Sequence, residues 1–416
     1  MNFDTIGLFH RLIVLIERSA NIEPYFSYEL TATPTALFKG AVMLKPVKPA
    51  LVKELMKPLS LQEQSDDNCL KHDFLFVVDG GALLHCARWS RSMKISDIVS
   101  IYVNVLGVKY GQSAIVVFDG YECAVSTKDH EHKQRLAKAR KVAPDITLTL
   151  DTPVTDDQQA FLANQKNKVS FIKLLSSCLR MKGFVVIEAE ADADTDIVAT
   201  ALNKAANQQS VAVAADDTDI LVLLVHHLND EMHDILFVPQ NRRRFKQVSI
   251  RDIQQAVGKQ TCRQLLAVHA IGGCDTVSAI FGIGKGTVLK RLTAGTQFIA
   301  STDVLQDRCA TVEDVISEGL KLLVGVYGGK PSESLNRLRY QLYCKMATES
   351  TLRPKPQRLP PTKASAQYHI MRAHLQAVRW SMLNASALEP TEWGGDSPMM
   401  DCSLSRQVKL LHLLKF

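Results

Sequence analysis

At 416 residues the chain has room for roughly two to three domains. Its 46% hydrophobic and 22% charged residues are ordinary for a soluble globular protein, and a net charge of +6 permits a nucleic-acid partner without requiring one. The nine cysteines form no CxxC pair, and Cys262 with His269, or His226, His227 and His233, are spaced too loosely for zinc, so free thiols in a reducing compartment are expected.

Residues 1–72 read as an extension. The apolar run 6–16 is broken by His10 and Arg11 and no small-residue cleavage site follows it, so neither a signal peptide nor a membrane span is expected. Next come Lys45-Pro-Val-Lys-Pro-Ala-Leu and a polar stretch at 62–68.

A domain over 73–245 then shows an α/β rhythm. Apolar runs at 74–78, 114–118, 184–187 and 211–215 suit buried parallel strands, with a further strand at 234–238. Helical stretches at 169–180, 192–206 and 219–228 alternate with them, which predicts a mainly parallel sheet built from βαβ units and flanked by helices. Helices at 250–257 and 261–270, then the turn Gly282-Ile-Gly-Lys-Gly opening a helix over 287–292, mark a small helical module at 246–330. Residues 331–416 form a C-terminal extension. It holds a Pro-rich linker at 353–361, a helix at 368–383 and a Gly/Pro-rich stretch at 393–398.

Four of the strands end in carboxylates. Asp79-Gly-Gly follows the first and Asp119-Gly the second. Glu188-Ala-Glu190-Ala-Asp192-Ala-Asp194-Thr-Asp196 follows the third and Asp216-Asp217-Thr-Asp219 the fourth. In an open parallel sheet the loops beyond the carboxyl ends face one crevice, so these acids are expected to converge. Any one of them is equally well explained as a helix cap. Together they would repel one another unless cations neutralised them, and hard oxygen donors select Mg²⁺ or Mn²⁺. Two such ions promote phosphodiester hydrolysis. A fifth acid, Asp275, stands in His269-Ala-Ile-Gly-Gly-Cys-Asp275, just before the Gly282–Gly286 turn. Glycines at a helix start let backbone N–H groups approach a phosphate, and Lys285 adds charge. A plain tight turn is the alternative.

The order Val78-Asp79-Gly, Phe118-Asp119-Gly, Asp192-Ala-Asp194, Asp217-Thr-Asp219 and Gly273-Cys-Asp275 resembles the flap endonuclease/XPG superfamily, whose core is PIN-like. Gly282-Ile-Gly-Lys-Gly is similar to that superfamily's helix–two-turn–helix (helix-hairpin-helix) element, and the resemblance covers roughly residues 73–295. A nearer likeness is to PIN-like proteins associated with repeat elements of animal genomes. It extends to Phe26-Ser-Tyr-Glu-Leu-Thr-Ala-Thr-Pro-Thr-Ala-Leu-Phe, Leu359-Pro-Pro-Thr-Lys-Ala, His369-Ile-Met-Arg-Ala-His374 and Trp380. The resemblance implies a two-Mg²⁺ site (Mn²⁺ as a substitute) that cuts DNA near a junction or 5′ flap. Asp79, Asp119, Asp192, Asp194, Asp217, Asp219 and Asp275 take the ligand and catalytic roles by motif match. The pair Asp192/Asp194 stands where the superfamily typically has Glu/Glu, and the shorter side chains leave room for Glu188 or Glu190, with Glu190 added to the candidate ligands.

Basic residues Lys128, Lys133, Arg135, Lys138, Arg140 and Lys141 correspond loosely to the superfamily's arch over single-stranded nucleic acid, or form a solvated helix. Lys128, Lys133 and Arg135, with Gly282, Gly284, Lys285 and Gly286, are the candidate nucleic-acid contacts. Arg242-Arg-Arg-Phe-Lys246 suits an exposed turn better than a phosphate contact or nuclear address, although an intracellular, preferentially nuclear placement is expected. Two rivals stand beside a DNA nuclease: a PIN-type ribonuclease, and an element-derived protein that binds nucleic acid without cutting.

Overall fold

Short β-branched runs bounded by Asp-Gly turns fold as strands because alternate side chains reach both faces of a covered sheet. In the computed structural model the described residues are 7, 23–29, 33–61, 74–90, 92–120, 142–189, 193–240, 247–349 and 355–383. They group into two compact units, one from 55–262 and one from 1–54 together with 263–416.

The first unit holds a six-stranded sheet of β1 (Leu75–Asp79), β2 (Ile115–Phe118), β3 (Val185–Glu188), β4 (Val211–Ala214), β5 (Ile235–Val238) and β6 (Val248–Ser249). Their spatial order is β3-β2-β1-β4-β5-β6, all parallel except β6, which is antiparallel to β5. The mainly parallel α/β sheet read from the sequence is therefore present. Helices α1 (Ile95–Tyr110), α2 (Gln165–Met181), α3 (Ala193–Ala206), α4 (Thr218–His227) and α5 (Ile250–Val257) accompany it. Val77, Val78, Val116, Val117 and all four residues of β4 are buried, whereas Val185 is 53% exposed because β3 lies at the edge of the described sheet. The core joins Phe76, Val78 and Phe118 to Ile98, Tyr102 and Leu106 of α1 and to Phe171, Leu175 and Leu179 of α2. Ile98, Tyr102 and Leu106 recur every four residues, so one face of α1 turns inward despite its many β-branched residues.

This topology decides where a site forms. The chain runs outward from β1 to β2 and β3, then returns to place β4 on the other side of β1. The carboxyl ends of β1 and β4 thus flank a topological switch point, where the connecting loops leave in opposite directions.

The second unit is helical, with most of α6 (Lys259–Ile271), then α7 (Lys285–Thr293), α8 (Ile299–Gln306), α9 (Val312–Val326), α10 (Leu335–Glu349) and α11 (Lys363–Met382). Helices α8, α9 and α11 pack on one another. Within this unit the two flanks of the chain hold each other. Phe26 packs between the rings of Tyr340 and Tyr343 on α10, at centroid distances of 5.4 and 4.9 Å. Glu29 accepts from the Thr362 amide at 2.8 Å, at the start of α11.

Both flanks also grip the loop between α6 and α7. Its Ala279 and Phe281 amides donate to Leu44 O and Ala36 O, each at 2.8 Å. From α11, Gln376 Oε1 accepts from Thr276 Oγ1 at 2.7 Å, and His369 bridges Ile271 O (2.9 Å) and Ser278 Oγ (3.2 Å). Burial pushes His369 down to about 4, so it is neutral near pH 7, with Nε2–H donating to the Ile271 carbonyl and Nδ1 accepting from Ser278. Gly273 makes the turn at φ +97°, where a Cβ would lie 2.7 Å from Ala279 Cα. Among the described residues no helix is long and apolar enough to cross a membrane, and all six described cysteines are free thiols.

Candidate metal centre

The acids at the strand ends sit where local chain chemistry puts them. Asp217 is the N-cap of α4, its Oδ1 accepting from the Asp219 amide at 3.0 Å, and Asp219 follows in the first turn. Asp79 Oδ1 accepts from the Gly81 and Ala82 amides at 2.8 and 3.2 Å. Asp119 reaches across 74 positions to accept from the Ala193 amide at 3.2 Å, at the start of α3. Asp194 lies in that same first turn. Capping and metal binding were alternatives for each motif in the sequence, but a carboxylate has two oxygens and about four acceptor positions, so capping through one oxygen leaves ligand capacity.

Asp194, Asp217 and Asp219 each bring one carboxylate oxygen to within 4.8 Å of the other two. Asp194 and Asp219 are buried there. A Cβ on Gly81 would sit 3.2 Å from Asp79 Oδ1 and 3.8 Å from Asp119 Oδ2, so these two acids converge over that residue. Gly80 is needed for the approach: a Cβ there would meet the Phe118 ring and lie 2.7 Å from Val117 O. Burial pushes the Asp79 carboxyl up to about 7, and the Asp119 and Asp217 carboxylates push the same way, against the Ala82 and Gly81 amides. Five carboxylates from β1, β2 and the starts of α3 and α4 therefore share one electrostatic neighbourhood. The donor set is all hard oxygen and fits Mg²⁺ or Mn²⁺.

That shift gives a signed expectation for the metal-free protein. Asp79 is protonated in the folded state up to about pH 7 and ionised in the unfolded chain above about pH 4. Stability is thus full below about pH 4 and falls as pH rises toward 7, by up to about 1.4 kcal/mol per pH unit from this group. Denaturant melts in EDTA across this range should show the slope in the wild type and a shallower one in Asp79→Asn; parallel profiles would remove Asp79 as its source.

Glu190, Asp192, Lys128, Lys133, Arg135, the rest of the 128–141 segment and Arg242–Lys246 lie outside the described residues. Asp275 belongs to the helical unit, where its carboxylate takes the Lys48 ammonium at 2.9 Å. Gly282 (φ +74°) and Gly284, the N-cap of α7, are exposed.

Lys285 and Gly286 differ from the sequence reading. Lys285 is 3% exposed, its Nζ 2.6 Å from His269 Nδ1 and 3.2 Å from His269 O, and the His269 ring stacks on Trp380 at 5.0 Å. The cause is helical phase, because Lys285 shares the buried face of Val288, Leu289 and Leu292. Its charge does not face solvent at the turn. Gly286 is buried too, and a Cβ there would lie 2.6 Å from Glu54 Cγ.

No family model matches the chain, and no curated protein does. Among solved structures, the T5 D15 protein co-crystallised with metal ions is similar at 13% identity, covering 80% of this chain and 98% of that one, with a TM-score of 0.39. The catalytic core of Rad2 in complex with DNA substrate is similar at 15% identity, covering 67% and 75%, TM-score 0.34. The Holliday junction-resolving enzyme GEN1, in complex with product DNA and Mg²⁺, is similar at 11% identity, covering 88% and 68%, TM-score 0.35.

One group at the site had no signal in the sequence. Gln240, just after β5 and 9% exposed, donates through Nε2 to Asp79 O (3.2 Å) and Ala214 O (2.9 Å). Its Oε1 takes the Cys86 thiol at 2.7 Å.

Proposed function

We propose that this protein is a divalent-metal-dependent nuclease that hydrolyses phosphodiester bonds in DNA, with flaps or junctions as the favoured substrates. One observation carries the reading: Asp194, Asp217 and Asp219 bring carboxylate oxygens within 4.8 Å of one another, beside Asp79 and Asp119, at the switch point of a parallel sheet. Burying that much like charge is costly without a cation. The order of the five acidic motifs, which resembles the flap endonuclease/XPG superfamily with its PIN-like core, supports the same chemistry.

In this reading Asp194, Asp217 and Asp219 hold one cation, and Asp79 and Asp119 help hold a second; Mg²⁺ is the working ion and Mn²⁺ a substitute. When bound, the two ions supply Lewis-acid activation and neutralise charge on the phosphodiester. The chain's own contribution is placement. The Gly81, Ala82, Ala193 and Asp219 amides fix one oxygen of Asp79, Asp119 or Asp217. Asp79, whose carboxyl burial pushes up to about 7, would have to give up its proton to serve as a ligand, so metal affinity would rise with pH. The exposed Gly282–Gly284 turn presents the α7 N-terminus for a sequence-blind contact to duplex backbone.

The test is a cleavage panel with the full chain in Mg²⁺, Mn²⁺ and EDTA, using 5′-flap DNA, four-way junction DNA, plain duplex and single-stranded RNA. Metal-dependent cutting of flap or junction DNA above plain duplex is the expected result. Preference for RNA would replace it with the ribonuclease reading, and binding without cutting in either metal would overturn catalysis altogether.

A further inference from the structure

We infer that Gln240 is a positioning residue for this metal centre, clamping the two strand ends from which its carboxylates depart. The inference rests on the metal-site reading above. Strands β1 and β4 are hydrogen-bonded through Val78 and Ala214, and beyond that pair the ladder ends. Here the chains part: β1 turns into Asp79-Gly-Gly, and β4 continues through Ala215 and Asp216 to Asp217. Such divergence makes the crevice but takes the last carbonyls away from their ladder donors.

Gln240 meets that need. A carboxamide carries two N–H donors on one nitrogen. The Gln240 nitrogen lies 3.2 Å from Asp79 O and 2.9 Å from Ala214 O, one donor for each strand. Its orientation is set from the other end, where Oε1 accepts from Cys86 Sγ at 2.7 Å. The backbone of Asp79 itself, and the backbone three residues before Asp217, are thus tied through a single side chain. Neither glutamate nor methionine could replace it, because a carboxylate only accepts and a thioether does not donate.

A merely structural role, satisfying two buried carbonyls, would lower stability without touching the ions. The two roles separate by titrating Mn²⁺ into the full chain by calorimetry, beside thermal melts in EDTA. Gln240→Met keeps the size and loses the donors. It should bind Mn²⁺ about tenfold or more weakly, the scale seen when a ligand's support is removed. Cleavage by this variant should recover toward wild type at raised Mn²⁺. Cys86→Val provides a second route at an exposed position, removing only the bond that orients the carboxamide. It should weaken Mn²⁺ binding in the same direction but less, and Cys86→Ser should restore it. Wild-type Mn²⁺ affinity in both Gln240→Met and Cys86→Val, whatever their melting temperatures, would overturn the inference while leaving the metal centre standing. A wild-type chain that binds no Mn²⁺ would remove both.

Discussion

Asp219→Asn is expected to lower phosphodiester hydrolysis at least about a hundredfold while leaving the metal-free protein as stable as wild type or more so. The size follows from what is lost. Removing one fixed electrostatic contact to a developing charge already costs about 100- to 1,000-fold, and under the proposed function Asp219 is a buried ligand to the cation that holds that charge, worth no less. Asp219 is 3% exposed, and one of its oxygens lies within 4.8 Å of oxygens from both Asp194 and Asp217. Asparagine has nearly the same volume, so packing is kept and a like charge is removed from the group. Two measurements read the two halves: single-turnover cleavage in Mg²⁺ and a thermal melt in EDTA. A third follows from linkage, since a ligand that binds only the folded state raises its stability with concentration. Mg²⁺ should raise the wild-type melting temperature and leave that of Asp219→Asn nearly unmoved. Cleavage within tenfold of wild type would sink the role given to Asp219.

What the sequence made legible at this site was its backbone logic. Apolar runs ending in Asp79, Asp119 and Asp217 announced strand ends, and a parallel sheet with a switch point brings such ends together whatever their separation along the chain. Caps were legible for the same reason, since Asp217 two residues before the amide it accepts is a local pattern. The unreadable parts depend on helical phase or on distant partners. Lys285 reads as a surface charge in Gly-Lys-Gly, and only the register of α7 turns it onto His269. Helix α1 is rich in valine and isoleucine and mimics strand, yet its buried Ile98, Tyr102 and Leu106 stand four apart. Gln240 has no motif at all, because its meaning lies in carbonyls of residues 79 and 214. Likewise nothing near Glu29 in the chain names Thr362.

Glu29→Ala should destabilise the helical unit by about 3–5 kcal/mol, the loss typical of breaking a buried ion pair from one side. The Glu29 carboxylate lies 3.5 Å from the Arg339 guanidinium, with side chains only 12% and 5% exposed, and accepts from the Thr362 amide at 2.8 Å. Arg339 also donates to Pro360 O. Alanine at 29 therefore leaves a buried guanidinium without its carboxylate, and it takes a negative group from the N-terminus of α11, where the helix dipole favours one. Glu29→Gln separates the contributions. Its amide oxygen still accepts from Thr362 but offers no charge to Arg339, so its loss should be smaller than that of alanine. The double variant Glu29→Ala/Arg339→Met should recover part of the alanine loss, because no charge is then stranded. Denaturant unfolding of the four proteins measures this. Since α11 also carries Gln376 and His369 onto the loop of Asp275, Glu29→Ala should speed amide hydrogen exchange through 271–281 as well. A loss below about 1 kcal/mol with unchanged exchange in that loop would mean that the flanks are not the brace the contacts describe.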